Sequence, residues 1–477
     1  MARYPRRRVV EFHEMPKEIS THALRGQPTE RWTTRFGFIF ATIGSAVGLG
    51  SIWKFPYEVG ENGGLGFLIF YLAGLLIVVL PLLLAEFVLG RRGGGDAASS
   101  IARVASDAGR SPGWRWVGWL GIATGFLILS YYAVIAGMTI GYVAGAASHG
   151  FAGLDATAAG ALFERLVGNP LLLGACHIAF LAATAIIVSR GIRRGVETAC
   201  NILMPVLAVL MLLLVAYAAI EGDWRRSVEF LFEMHPRDLT PRIALEALGL
   251  GFFSIGVGLG LMITYAAYTG AEFRLGRTAL AVVAGDTAIS VLAGLAIFPL
   301  VFRYELDPAG GAALMFLTLP IAFGQLPFGN LVGAAFFVLL FVAALASGLS
   351  LLELSVAPLI RRGWTRTRAA YAAAFTVWLA GVPTLLSFSL WRDVRPLATL
   401  SAFADLDLFE LVDGLASNLM LPAGGLLLAL FVGWRLRPAI LADELGWKRG
   451  AGLLWWSLRW IVPPLILVFV AAGHFTR

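Results

Sequence analysis

Eleven apolar stretches, each 20 residues or longer, follow one another along the chain at about 36–58, 64–90, 116–147, 170–189, 195–220, 244–269, 279–302, 328–360, 368–387, 409–434 and 453–472. A hydrocarbon layer about 30 Å thick is crossed by roughly 20 helical residues. Only structures that satisfy every backbone polar group internally can cross it. Membrane β-barrels use strands of about ten alternating residues, and these runs are too long and do not alternate. The fold class is therefore an all-α polytopic membrane protein. Composition agrees: 14% of the 477 residues are charged and 58% are apolar, with a mean hydropathy of +0.79. Soluble domains carry about 25% charge. A soluble enzyme, a disordered chain and a disulfide scaffold are excluded. Cys176 and Cys200 both fall in or beside apolar runs, so no disulfide or metal framework is implied.

The net charge of +7 arises from arginines in short clusters between the apolar runs. That is the pattern of a topology signal, not of a nucleic-acid face. Alternate loops carry Arg91/Arg92, Arg190/Arg193/Arg194, Arg274/Arg277, Arg361/Arg362 with Arg366/Arg368, and Arg435/Arg437. The other loops hold Glu229, Glu233, Asp238, Asp307, Asp405 and Asp407. Because positive loops stay inside, the N-terminus is expected in the cytoplasm and the C-terminus outside, across the plasma (inner) membrane. Residues 1–35 read as a cytoplasmic tail, with no apolar core following Arg6–Arg8 at signal-peptide distance.

Two spans are interrupted by glycine: Gly44-Ser-Ala-Val-Gly48-Leu-Gly50 in the first and Gly256-Val-Gly258-Leu-Gly260 in the sixth. These open two five-helix halves, 36–220 and 221–434, of opposite orientation; residues 435–477 add an eleventh helix and a short outer C-terminus. Glycine also serves close helix packing in membranes. Interruptions at matching places of inverted halves, however, point to the central site of a transporter.

Trp32-Thr-Thr-Arg35-Phe-Gly, the Gly44–Gly50 segment continuing through Ser-Ile-Trp-Lys-Phe-Pro56-Tyr57, and Glu61-Asn-Gly-Gly64 together resemble the signature of the neurotransmitter:sodium symporters. The likeness continues at Tyr131-Tyr132, Arg190-Gly191, Gly195-Val-Glu197, Phe252-Phe253-Ser254, Thr318-Leu-Pro320 and Ser347 to Glu353, covering nearly the whole chain. It implies a LeuT-like 5+5 inverted repeat with an additional eleventh helix, as in the bacterial branch. It also implies sodium-driven amino-acid or amine uptake by alternating access.

The resemblance assigns residues to roles. Leu49 and Gly50 at a half-helix N-terminus, with the Tyr132 hydroxyl, would hold a substrate carboxylate; helix N-termini suit anions. The amine would rest near Ala46, Phe253 and Ser254. Ile128, Phe253, Gly256, Leu259, Ser347 and Leu351 would line the side-chain pocket. Monoamine carriers of the family place Asp where this chain has Gly48, so the resemblance implies a zwitterionic amino acid. Gly256, where many relatives have Ser, leaves room for a bulky apolar or aromatic side chain, or for an extended γ-amino acid. A first sodium would use Ala46, Ser51, Ser254 and Asp286, two of which (Ser51 and Asp286) replace a familiar Asn. A second would use Gly44, Val47, Ala343 and Ser347, with Ala346 where a Thr or Asp is usual.

A carboxylate inside the bilayer costs about 2.5–3.5 kcal/mol on insertion scales, which favours a function for Asp286. Relatives that need chloride hold it with Tyr, Gln and Ser. Tyr71 and Ser290 fit that pattern, but Leu250 replaces the Gln. Asp286 can supply the balancing charge, so sodium but not chloride is expected as a coupling ion. The outer gate implied is Lys54 with Asp413. The inner gate is expected to be charge-swapped, Glu30 with Arg361, assisted by Tyr268. No Walker loop, GxSxG elbow or HExxH occurs, so the chain reads as no enzyme; no nucleic acid or obligate protein partner is expected. A sodium-independent exchanger and a non-transporting amino-acid sensor of the same fold stand as alternatives.

Overall fold

The computed structural model describes residues 30–148, 150–234, 239–308, 314–400, 403–447 and 450–472. Most of the tail expected at 1–35, and the last five residues, lie outside the described residues. The helices are α1 (Arg35–Ala46), α2 (Gly50–Asn62), α3 (Leu65–Gly93), α4 (Ala97–Asp107), α5 (Pro112–Ala147), α6 (Ala156–Val167), α7 (Pro170–Ser189), α8 (Ile192–Glu221) and α9 (Trp224–Phe232). They continue as α10 (Pro241–Ile255), α11 (Leu261–Ala266), α12 (Leu275–Arg303), α13 (Leu314–Gln325), α14 (Gly329–Arg361), α15 (Arg366–Ser387), α16 (Leu408–Arg435), α17 (Pro438–Leu445) and α18 (Gly450–Ala471).

Nine of the described helices are long and apolar enough to cross a bilayer, and α1 with α2 make a tenth span bent by 52°. The expected sixth span is present as two shorter helices, α10 and α11, separated by Gly256–Gly260. The described residues form an all-helical bundle, as expected. Its layering follows from which helices bury all sides: 83% of the apolar window of α14 and 78% of that of α5 are buried, against 28% for α8 and for α18. The first two wall the centre, and α8 and α18 face lipid.

Local sequence explains the start of the first span. Thr34 caps α1 by accepting the Gly37 N–H at 2.9 Å. Glu197 on α8 accepts the N–H groups of Thr33 and Thr34 at 2.9 and 3.0 Å, so orphan donors at the helix start are satisfied by another span.

Candidate substrate and ion site

The first span breaks where Val47 leaves the helix at φ −74°, ψ +100°. The sixth breaks because Gly256, Gly258 and Gly260 take φ of +70°, +95° and +73°, a region open to glycine at little cost. A Cβ on Gly258 would stand 2.6 Å from the Gly425 nitrogen, so close approach to α16 adds a second demand there. Glu86 of α3 is fully buried and accepts N–H groups of Gly258 at 2.6 Å and Met262 at 3.1 Å. The carboxylate thus satisfies donors freed by the break, as membrane depth requires.

Between the two breaks lies a cavity of about 40 Å³, room for about three water-sized spheres. Ala46, Leu49, Gly50, Ile128, Tyr132, Phe253, Ser254, Gly256, Leu259, Ser347 and Leu351 all line it, joined by Ser45, Gly48 and Leu421. Among the described residues, the Tyr132 and Ser45 hydroxyls, buried there, meet no partner at hydrogen-bonding geometry. Buried hydroxyls are rarely left unpaired, because each costs about 1–3 kcal/mol. A Cβ on Gly48 would meet the Tyr132 oxygen at 3.0 Å, so glycine keeps that hydroxyl open to the cavity. The Lys54 ammonium sits 4.8 Å over the Phe253 ring that forms one wall.

Beside the cavity, Ser51 and Ser254 each donate to one Asp286 oxygen at 2.6 Å, their own oxygens 3.0 Å apart. Tyr71 donates to the other Asp286 oxygen at 2.5 Å. All four are buried, so one carboxylate and three hydroxyls form a dry oxygen cluster, the donor chemistry of a hard cation. Ala46 ends α1 against the same cavity. Ser290 is buried on α12 next to Tyr71, its hydroxyl without a partner at hydrogen-bonding geometry among the described residues. On the far side of the break the Ser347 hydroxyl reaches the Gly44 and Val47 carbonyls at 3.2 and 3.3 Å. Ala343 lies buried one turn earlier on α14. The Ala346 methyl stands 3.2 Å from where a Cβ of Gly44 would be, so position 346 faces this oxygen group with a carbon.

The model of the sodium:neurotransmitter symporter family matches residues 29–152 and 172–472. The chain belongs to that family. YhdH, a sodium-dependent transporter of Bacillus subtilis, is 36% identical over 452 residues, covering 93% of this chain and 98% of its own length. A sodium-dependent transporter of Haemophilus influenzae is 28% identical over 459 residues, covering 94% and 98%. The crystal structure of MhsT in complex with L-phenylalanine matches with a TM-score of 0.85 at 38% identity, over 94% of this chain and all of that one. As a member of the family the protein is a sodium-dependent secondary transporter of the membrane, not an enzyme.

Neither of the expected gate pairs forms. Lys54 and Asp413 do not pair: Lys54 turns over Phe253, and Asp413 accepts the Ser417 hydroxyl of its own helix at 2.8 Å. Ser417 in turn lies 3.0 Å from the Tyr131 hydroxyl. A neighbour four residues along the same helix satisfies Asp413 without holding a long lysine chain in one geometry. Glu30 does not pair with Arg361 either. Arg361 reaches Asp96 at 3.3 Å, while Glu30 binds Arg366 at 3.2 Å and accepts the Ile192 N–H at 3.0 Å. Arg366 also grips the buried Glu353 with both terminal nitrogens, one at 3.0 Å, and Tyr268 donates to Glu353 at 2.8 Å. The tight turn after α14, with Gly363 at φ +88°, carries the first turn of α15 back toward Glu353 and leaves Arg361 facing α4. Tyr268 therefore belongs to the inner cluster, through Glu353 and Arg366.

Sequence reasoning passed over Arg366 and Glu86. For Glu86 a signal existed, an acid deep in the apolar run 64–90. For Arg366 there was none, since 13 residues separate it from Glu353 across a turn.

Proposed function

We propose that the protein imports a zwitterionic amino acid with a bulky apolar or aromatic side chain, driven by inward sodium flow. The observation that carries this reading is the Tyr132 hydroxyl, without a partner at hydrogen-bonding geometry among the described residues and buried in the cavity beside the backbone where α2 begins. A donor without a partner beside a helix N-terminus matches a carboxylate. The solved complex of MhsT with L-phenylalanine supports the substrate class. Because the cavity is about 40 Å³, a phenyl-sized side chain requires its walls, Phe253 foremost, to part. Gly256 gives that side chain room, its added Cβ meeting only Leu259 at 3.2 Å.

Sodium at the Asp286 cluster neutralises the carboxylate and lies next to the substrate's own, so ion and amino acid stabilise each other's binding. Sodium at Gly44, Val47, Ala343 and Ser347 joins the break of the first span to α14. The arginine-rich end of the bundle faces the cytoplasm of the cell across the plasma membrane, and the protein works without an obligate protein partner. Alternating access then opens the Lys54 end and the Glu30 end in turn.

Uptake of labelled phenylalanine and leucine into proteoliposomes tests this. Accumulation driven by an inward sodium gradient is expected. Sodium-insensitive exchange overturns it in favour of an exchanger, a reading that Ala346 favours by placing a methyl where an oxygen is usual. Binding without flux makes the protein a sensor. Replacing chloride by gluconate is expected to leave the rate within about twofold, and a collapse of uptake would refute a chloride-free ion site. Gly48→Asp is expected to lower phenylalanine uptake at least about a hundredfold, since its side chain fills the space before Tyr132; losing the pair of carboxylate contacts at about 1.5–3 kcal/mol each gives that scale.

A further inference from the structure

At the arginine-rich end of the bundle a cavity of about 1100 Å³ opens between the end of α3, α4, the segment joining α11 to α12, and the residues after α17. Its lining carries the arginines at 31, 91, 92, 103, 274 and 277 and the acids Glu272, Asp443 and Glu444. Arg91 and Arg92 are taken by Glu444, at 2.7 and 3.6 Å. Arg103, Arg274 and Arg277 also line it, and none of these three has a carboxylate within ion-pair distance among the described residues. With six arginines against three acids on one cavity, and three of the arginines outside any ion pair among the described residues, the lining is net positive, and phosphate is what planar guanidinium forks suit.

The apolar surface next to these arginines decides which anion. Arg277, Leu280, Ala284 and Ala288 are the exposed residues of one α12 face, spaced three, four and four apart. Leu280 itself lines the cavity and is 52% exposed. The stripe rises about 16 Å along α12 from Arg277, at 1.5 Å per residue, into the part of the helix that lies within the bilayer. A ligand filling both features carries a phosphate at one end and an acyl chain running along the helix. Trp447, at the cavity edge, adds an amphipathic ring at the level where headgroups lie.

We infer that this cavity is a binding site for an anionic glycerophospholipid of the phosphatidylglycerol class, its phosphate held by Arg103, Arg274 and Arg277 and one acyl chain lying on the Arg277–Ala288 face. The inference is independent of which amino acid is carried, because it concerns a site remote from the substrate cavity and its test reads no transport.

Native mass spectrometry of the detergent-purified full chain, titrated with dioleoyl phosphatidylglycerol and with dioleoyl phosphatidylcholine, tests it. Retained phosphatidylglycerol and no retained phosphatidylcholine at the same concentration are expected. Arg103→Gln, Arg274→Gln and Arg277→Gln together should weaken phosphatidylglycerol binding about a hundredfold, from about 1 kcal/mol for each arginine. The three corresponding changes to Lys keep the charge and should stay within about tenfold, and Arg277→Gln alone should cost about fivefold. Thermal unfolding of each variant separates lost binding from lost folding. Equal retention of the two lipids, or an unchanged affinity in the triple Gln variant of unaltered stability, overturns the site. Displacement of the lipid by a tenfold excess of soluble glycerol 3-phosphate also overturns it, making the cavity a soluble-anion site.

Discussion

Asp286→Asn will cut sodium-driven uptake at subsaturating sodium by at least about a hundredfold while leaving the chain folded. Asp286 is fully buried, and its two oxygens accept from Ser51, Ser254 and Tyr71 at 2.6, 2.6 and 2.5 Å. Asparagine keeps the shape: its oxygen can still accept from Ser51 and Ser254, and its NH2 group can donate to the Tyr71 oxygen in place of accepting from it. What goes is the full negative charge next to the proposed cation. Two unit charges 4 Å apart at an effective dielectric of 20 interact by about 4 kcal/mol, and each 1.4 kcal/mol is tenfold in affinity. Sodium affinity should therefore fall by about a thousandfold, and uptake at subsaturating sodium by at least about a hundredfold. A second effect follows from the same charge. With Asp286 neutral, the Tyr71 and Ser290 hydroxyls no longer face an anion, and chloride can take up the balancing role. Uptake by the variant should then rise with chloride, whereas the unmodified protein should ignore it. Sodium titrations of phenylalanine uptake in proteoliposomes, in chloride and in gluconate, read both effects. An Asn variant that keeps its sodium affinity within about threefold would remove Asp286 from the ion site.

The broken spans and the cavity residues were legible in the sequence because the information is local. Gly44 to Ser51 and Phe252 to Gly260 each lie in one short segment, and a helix that breaks at glycine must break at that place. The partners in the ion cluster could be found for a related reason: Asp286 is an acid inside an apolar run, and an acid there needs hydroxyls or a cation. The gates were not legible, because they depend on which way a long side chain leaves a helix end. Arg361 and Arg366 lie five residues apart on either side of a turn, and both carry the same charge. Only the path of that turn sends Arg361 to Asp96 and Arg366 to Glu30 and Glu353. Lys54 likewise had several reachable neighbours: Asp413, Glu58 one turn along, and the face of Phe253. Which of them it takes depends on the direction in which its long side chain leaves the helix, and no pattern of residue types encodes that.

Because Arg366 joins two acids of very different burial, its loss should cost far more than the loss of Glu30, its partly exposed partner. The Glu353 side chain is fully buried, whereas that of Glu30 is 31% exposed. Removing one partner of a buried ion pair costs about 3–5 kcal/mol, because the charge left behind is uncompensated. A partly exposed pair is worth about 1 kcal/mol or less. Opening the Glu30 end admits water to Glu353, so in Arg366→Gln nearly the whole cost falls on the closed state. In Glu30→Gln the amide oxygen can still accept the Ile192 N–H, and little is lost. Cys200 reports the difference: it is fully buried in α8, against which α1 packs, within electrostatic reach of Tyr265, whose carbonyl accepts the Trp32 indole N–H at 2.9 Å. In a Cys176→Ala background, Arg366→Gln should speed alkylation of Cys200 by at least about a hundredfold, the lower end of that cost at 1.4 kcal/mol per decade. Glu30→Gln should speed it by less than about tenfold. Arg361→Gln should leave it within about twofold, since Arg361 holds only Asp96 and its side chain is 45% exposed. Equal acceleration by Arg361→Gln and Arg366→Gln would restore Arg361 to the gate; equal rates in Glu30→Gln and Arg366→Gln would mean that Glu353 plays no part in keeping that end closed.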